Sequence, residues 1–255
     1  MGLPVISVGN LTLGGSGKTP LVTVLAQKFE GSAIVLRGYG RQSSGLYVVH
    51  DGNKILCDVQ TSGDEAMIYA SKLSRTIVIV SEIREEGIAK AKALGAQQVF
   101  LDDAYSKHQI KKLDLLINVE TPNTFCLPSG AYREQLWHSK EAIVLDESKD
   151  FRRQVHVEDA TEKMALVTAI ARPERLDQYL PEVCSKTYFE DHHFFTKEEL
   201  SEVLQKSMAT SLLVTYKDLV KMSHFNLPLS LLDLELEIDN ALLEKIGTYI
   251  NETKY

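Results

Sequence analysis

The sequence predicts an α/β protein built on a mostly parallel sheet, with a second, smaller α/β unit following the first. Three observations predict it. Short β-branched runs alternate with stretches of helical spacing, several of those runs are apolar throughout, and the first run leads straight into a glycine-rich loop and a helix. Strands that are apolar at every position are covered on both faces, as parallel strands are.

In order, residues 5–8, 33–36, 76–80, 98–101, 113–119 and 142–145 read as strands, and 20–29, 64–73 and 84–94 as helices. Gly95 is placed as a C-terminal cap. The first unit is expected to close in the charged stretch 146–153, dividing the chain into 1–150 and 151–255. A connecting strand at 155–157 then opens the second unit. Its expected strands are 165–169, 186–189 and 211–215, and its expected helices 172–179, 197–206 and 240–251.

With 255 residues, 44% hydrophobic and 25% charged, the chain can bury one large core or two modest ones. A net charge of -7 and a pI near 5.6 argue against nucleic acid as a partner, since such binding needs clustered Lys and Arg. Cys57, Cys126 and Cys184 are odd in number and far apart, which removes both a disulfide framework and a CxxC metal pair. No apolar run approaches the roughly 18 residues of a membrane span, and the first residues lack the pattern of a signal peptide. A cytoplasmic protein, soluble or peripheral on a membrane, is expected.

The most specific signal is the segment 5–20 (VISVGNLTLGGSGKTP), which runs strand, glycine-rich loop, Lys-Thr, helix. Gly14, Gly15, Ser16 and Gly17 would curl successive backbone N–H groups toward phosphate oxygens. Lys18 would reach the β and γ phosphates, and the Thr19 hydroxyl would bind Mg²⁺. The usual spacing G-x4-G-K-[ST] puts a glycine where this chain has Thr12. A plain glycine turn would not require the Lys-Thr that follows it.

Other polar groups leave two readings open. Asp102 and Asp103 end a strand, either as a Mg²⁺-binding carboxylate pair or as a turn opener. Asp64 precedes a helix and would serve as its N-cap on local grounds. Arg37 and Arg41 flank a flexible turn that suits an anion or is a solvated loop. Asp191, His192 and His193 precede a helix opened by the capping box Thr196 and Glu199; no third ligand suggests zinc, leaving surface histidines or a histidine that steadies a carboxylate.

Residues 4–20 closely resemble the opening of the tetraacyldisaccharide 4'-kinases, which phosphorylate the lipid A precursor of Gram-negative bacteria, and whose loop carries threonine at the position of Thr12. Further motifs match in order along nearly the whole chain: 37–41 (RGYGR), 63–65 (GDE), 101–103 (LDD), 127–134 (LPSGAYRE), 169–173 (AIARP), Phe189-x-Asp191-His192 and Thr215-x-Lys217-Asp218. The resemblance implies a P-loop NTPase α/β/α sandwich with a second, smaller α/β/α domain joined by a β linker, using ATP and Mg²⁺. It implies Asp64 as the base for the sugar hydroxyl with His192 as its partner, and Lys18 with Thr19, Asp102 and Asp103 for the phosphates and Mg²⁺. Asn10, Thr12, Glu65 and Arg133 would line the site. The implied partner is lipid A disaccharide 1-phosphate, met by a monomer peripheral on the cytoplasmic face of the inner membrane.

Departures from the family pattern limit the transfer. Ala104, Tyr105, Ser106 and Lys107 replace its Gly-Phe-Gln-His, leaving His108 one place late, and Ala66 replaces a proline. The apolar, basic helix that precedes the P-loop strand in the family has no counterpart in residues 1–255. Either another surface meets the lipid or the start is lost or misplaced. The apolar-basic stretch 212–225 is one candidate surface, but an ordinary core strand and helix is the favoured reading of it. An Asn-Lys-x-Asp guanine-reading motif is absent, which counts against a GTPase. A non-catalytic ATP-binding regulator is the rival from another class.

Overall fold

The computed structural model describes residues 2–13, 16–136 and 141–254. Gly14 and Gly15 lie outside the described residues. The chain divides into two units, Met1–Arg153 with Leu236–Tyr255, and Gln154–Glu235.

The first unit holds β1 (Val5–Gly9), α1 (Lys18–Lys28), β2 (Ser32–Leu36), β3 (Tyr47–Asp51), α2 (Val59–Ser62), α3 (Asp64–Lys72), β4 (Ile77–Val80), α4 (Arg84–Ala93), β5 (Gln98–Asp102), β6 (Leu113–Ile117) and β7 (Ala142–Leu145). Its seven strands lie in the order β3-β4-β2-β5-β1-β6-β7. All neighbours are parallel except β3, which pairs antiparallel with β4. Every residue of β1, β2, β4 and β5 is buried, as the unbroken apolar runs require.

Side chains alternate across a strand, so the two faces can be told apart. Val5, Val35, Ile79, Val99 and Leu101 form one cluster with Ala91 and Ile88 of α4. Phe100 points the other way and meets Phe29, just past the end of α1, with ring centroids 6.2 Å apart. Helices therefore cover both faces.

The second unit is built on β8 (Phe151–Glu158), β9 (Met164–Thr168), β10 (Ser185–Tyr188), β11 (Ser211–Thr215) and β12 (Leu229–Ile238), in the order β10-β9-β11-β12-β8. The unit boundaries fall inside β8 and β12. Ala165, Val167, Leu212 and Val214 pack with Leu200 of α5 (Lys197–Ser207) and Met222 of α6 (Tyr216–Met222). On the other face Leu166 and Leu213 meet Leu176, from a 3-10 helix at Pro173–Tyr179. That stretch was expected to be α-helical. It buries no residue completely, so nothing stabilises a longer regular helix over the short one.

The last helix, α7 (Asn240–Lys254), was expected in the second unit and groups with the first. Leu242, Ile246 and Ile250 form its buried stripe, and the Tyr249 hydroxyl donates to the Val5 carbonyl at 3.1 Å. Strands β3 and β12 and the short α2 were not anticipated. The stretch 212–225 is strand then helix, with Leu212, Leu213, Val214 and Met222 fully buried, so its apolar residues form core rather than an exposed surface. Among the described residues no helix is long and apolar enough to cross a membrane.

Gly87, in α4, sits against β2: a Cβ there would lie 2.5 Å from Val35 Cγ1, on a stiff β-branched side chain held in the sheet. Alanine favours the helix by up to ~1 kcal/mol, yet overpacking costs about 1–3 kcal/mol. Gly87→Ala is expected to lower stability by roughly 1 kcal/mol in urea unfolding, the reverse of an exposed helix glycine.

Candidate active site

Strand β1 ends at Gly9, and β5, its neighbour in register with Val8 opposite Asp102, ends beside it. The loop after β1 and the carboxylates closing β5 therefore meet at the same edge of the sheet, where α/β proteins bind ligands. Gly17 occupies the N-cap of α1 in a left-handed conformation (φ 90°), which an L side chain rarely adopts. Lys18 and Thr19 are the first residues of the helix, at its positive end.

Asn10 is fully buried and arranges Lys18. Its amide donates to the Thr12 carbonyl at 2.8 Å and to Thr12 Oγ1 at 3.0 Å, which leaves Oδ1 to accept from Lys18 Nζ at 2.9 Å. Thr12 is itself buried and pairs with Tyr132 across a short antiparallel bridge. Leu13 N–H donates to Ala131 O and Arg133 N–H to Leu11 O, both at 2.9 Å, so the loop containing Arg133 runs along the phosphate loop.

The two aspartates differ in environment. Arg133 grips Asp103 with both terminal nitrogens, Nη1 lying 3.0 Å from Oδ2 and Nη2 meeting Oδ1, while Lys18 Nζ is 3.7 Å from Oδ1. Burial acts to raise the Asp103 pKa, but the Arg133 hydrogen bonds and the Lys18 charge hold it below the ordinary carboxylate value. Asp102 is buried, takes the Tyr69 hydroxyl on Oδ2 at 2.8 Å, and has no hydrogen-bond partner for Oδ1 among the described residues. Burial and then the Glu65 charge push its pKa up to about 7, against the pull of Lys18. A buried carboxylate oxygen with no donor suits a cation. Tyr69 also hydrogen-bonds the Thr19 side chain, bringing Asp102 and Thr19 to one hydroxyl.

Asp64 and Glu65 open α3, with Asp64 buried. The N-cap is Gly63 rather than Asp64, and no side chain caps the helix. The local N-cap account of Asp64 thus fails, and a buried carboxylate stands at the start of α3 beside Glu65, whose charge is felt at Asp102.

The sequence model of the family described as Tetraacyldisaccharide-1-P 4'-kinase matches residues 1–251. The chain is 50% identical over 252 residues to a tetraacyldisaccharide 4'-kinase of Helicobacter pylori, covering 97% of this chain and 80% of that protein. With that of Aliarcobacter butzleri it shares 44% over 263 residues, 99% of this chain and 84% of the other. The chain belongs to the tetraacyldisaccharide 4'-kinase family. A solved structure of the family's Aquifex aeolicus member, described as an "apo" form in complex with ATP, is similar in fold with a TM-score of 0.74 at 22% identity, covering 98% of this chain and 89% of that one.

For this member of the kinase family, sequence reasoning passed over three residues near the site. Tyr69 is one, its phenol pushed well above the usual range by burial and by the charges of Asp102 and Glu65. Arg84 is another, buried at the start of α4 with Nη1 donating to Ser81 O at 2.6 Å. Burial lowers its pKa, while the charges of Asp102 and Asp103 act to raise it. The third is Arg153. None stands in a motif of its own; a helical Tyr or an Arg after a strand gains meaning only from what packs beside it.

His192 lies in the second unit. Its φ is +64°, its N–H donates to Ala169 O at 3.3 Å, and Nε2 lies 3.5 Å from Lys217 Nζ. Lys217 also donates to Asp191 Oδ1 at 2.9 Å, and Lys221 to the His193 carbonyl at 3.1 Å. His193 stacks on Phe189 and contacts Glu199 at 3.3 Å, a structural engagement distinct from its neighbour's.

Asp218 anchors this loop's supports. Fully buried, it accepts from Thr168 Oγ1 and Thr215 Oγ1, each at 2.7 Å, and from Ala169 N–H at 3.0 Å, with Lys221 Nζ at 3.7 Å. Removing one partner of a buried ion pair typically costs about 3–5 kcal/mol. Asp218→Ala is expected to destabilise the second unit on that scale, read as early loss of hydrogen-exchange protection in β9 and β11 before the first unit opens.

Proposed function

We propose that this chain transfers the γ-phosphate of ATP to the 4'-hydroxyl of tetraacyldisaccharide 1-phosphate, yielding the bis-phosphorylated lipid A precursor and ADP. The observation that carries the proposal is the Lys18 ammonium at the head of α1, 2.9 Å from Asn10 Oδ1 and 3.7 Å from Asp103 Oδ1, on the edge of the sheet where Asp102 also ends its strand. Family membership supplies the acceptor.

We assign roles by chemistry. Lys18 and the backbone N–H groups of the loop bind the phosphates. Mg²⁺ fits Asp102 Oδ1 and the Thr19 hydroxyl, and when bound it neutralises charge on the β and γ phosphates. Asp103, expected beside Asp102 at the metal, has both oxygens on Arg133 and is also assigned the task of fixing Arg133 and Lys18. Glu65 keeps the site acidic around Asp102.

The 4'-oxygen attacks the γ-phosphorus as the bond from that phosphorus to the β–γ bridging oxygen breaks. The electron pair leaves with ADP, and the hydroxyl proton passes to the Asp64 carboxylate. His192 is assigned the support of that base. Because ATP is cytoplasmic and the acceptor is a lipid, we place the protein as a monomer on the cytoplasmic face of the inner membrane, held peripherally, with no nucleic-acid partner.

Transfer of label from γ-labelled ATP to detergent-dispersed acceptor with Mg²⁺ tests the activity directly. Labelled lipid is the expected product; ATP binding without it would favour a regulator. Lys18→Ala and Asp64→Ala are each expected to cut turnover at least ~100-fold, the scale of a lost electrostatic or acid–base group. Near-normal turnover in either variant removes the role given to that residue.

A further inference from the structure

The turn between β7 and β8 is tightly built. Asp146 N–H donates to Asp150 Oδ2 and Asp150 N–H to Asp146 O, both at 2.9 Å, and Asn118 holds Asp146 Oδ1 at 2.7 Å. This turn fixes Glu147 and delivers Arg153, three residues into β8, to the phosphate loop. Arg153 Nη2 donates to the Ser16 carbonyl at 3.3 Å and lies 3.3 Å from Glu147 Oε2. Three guanidinium atoms lie within 4 Å of where a Cβ on Gly17 would stand, the nearest at 3.2 Å.

The Ser16 carbonyl and the Gly17 N–H belong to one planar trans peptide, so they point in opposite directions and turn together. Gly17 offers that plane little resistance to rotation, because glycine tolerates both signs of φ. A donor on the Ser16 oxygen therefore sets where the Gly17 N–H points.

We propose that Arg153 is a positioning residue for the nucleotide: it holds the Ser16–Gly17 peptide with its N–H turned toward the phosphates, and Glu147 holds the guanidinium in place. The inference rests on the phosphate-loop assignment above and adds to it a residue outside every motif of the sequence. Arg153 acts through the loop and need not touch the substrate. Lysine is not an equivalent replacement, since it ends in a compact ammonium on a flexible stem rather than in the rigid, longer-reaching guanidinium whose Nη2 serves both Ser16 O and Glu147.

The test is isothermal titration with a non-hydrolysable ATP analogue and Mg²⁺, alongside KM for each substrate. Arg153→Ala is expected to weaken analogue binding and raise KM for ATP about tenfold, the scale of one charge-assisted hydrogen bond, with KM for the lipid within about twofold. Arg153→Lys should fall between. Glu147→Ala should give about a threefold loss in the same direction, and the double variant should be no worse than Arg153→Ala, because Glu147 acts through Arg153.

Unchanged analogue affinity in Arg153→Ala, additive losses in the double variant, or equal rises in both KM values would overturn the proposal. Should Arg153→Ala fail to fold, the partly exposed Glu147 decides alone, unchanged affinity in Glu147→Ala counting against it. Lys18→Ala is the control. If it too leaves analogue binding intact, the phosphate-loop assignment itself is wrong; if it weakens binding while Arg153→Ala does not, only the role of Arg153 falls.

Discussion

Val8 and Asp102 face each other across the β1–β5 ladder, and the Val8 carbonyl accepts the Asp103 N–H at 2.9 Å. Parallel pairing in this register brings the end of the first strand and the end of the fifth to the same height. Lys18 and two carboxylates then share one edge of the sheet. Were β5 shifted by one residue, alternation would turn the Asp102 side chain to the opposite face. The apolar runs of β1, β2, β4 and β5 hold that register from both sides.

The charges gathered there oppose one another. Asp102 is pushed up to about 7 by burial and by Glu65, while Asp103 is held down by Arg133 and Lys18. Neighbouring carboxylates driven in opposite directions have different tasks open to them. One is paired with cations of the protein itself, and the other has a buried oxygen with no hydrogen-bond partner among the described residues. The site gives up some folding stability to hold an oxygen in this condition.

Thr12 shows how an irregular motif becomes regular in three dimensions. The usual glycine at this position answers a backbone need, yet Thr12 keeps a negative φ and spends both its oxygens on Asn10. Asn10 in turn spends its free oxygen on Lys18. The hydroxyl that replaces the glycine is the far end of a relay that orients the lysine.

Alternation of apolar runs with helical spacing was enough, from the sequence, for the parallel sheet, the phosphate loop on its first turn and most helices, because burial on both faces leaves a one-dimensional pattern. The end of a strand marked Asp102, while Asp64 and Arg133 stood out only through the family resemblance. Strand β12 escaped because its leucines suit a helix as well as a strand, and only pairing with β11 decides between them. The placement of α7 escaped because its apolar stripe says that it must be covered but not by what. Asp103 as partner of Arg133, Tyr69 as donor to Asp102, and Arg153 beneath Ser16 were decided by tertiary structure alone. Each depends on which distant side chain fills the space beside a group, and no spacing along the chain encodes that.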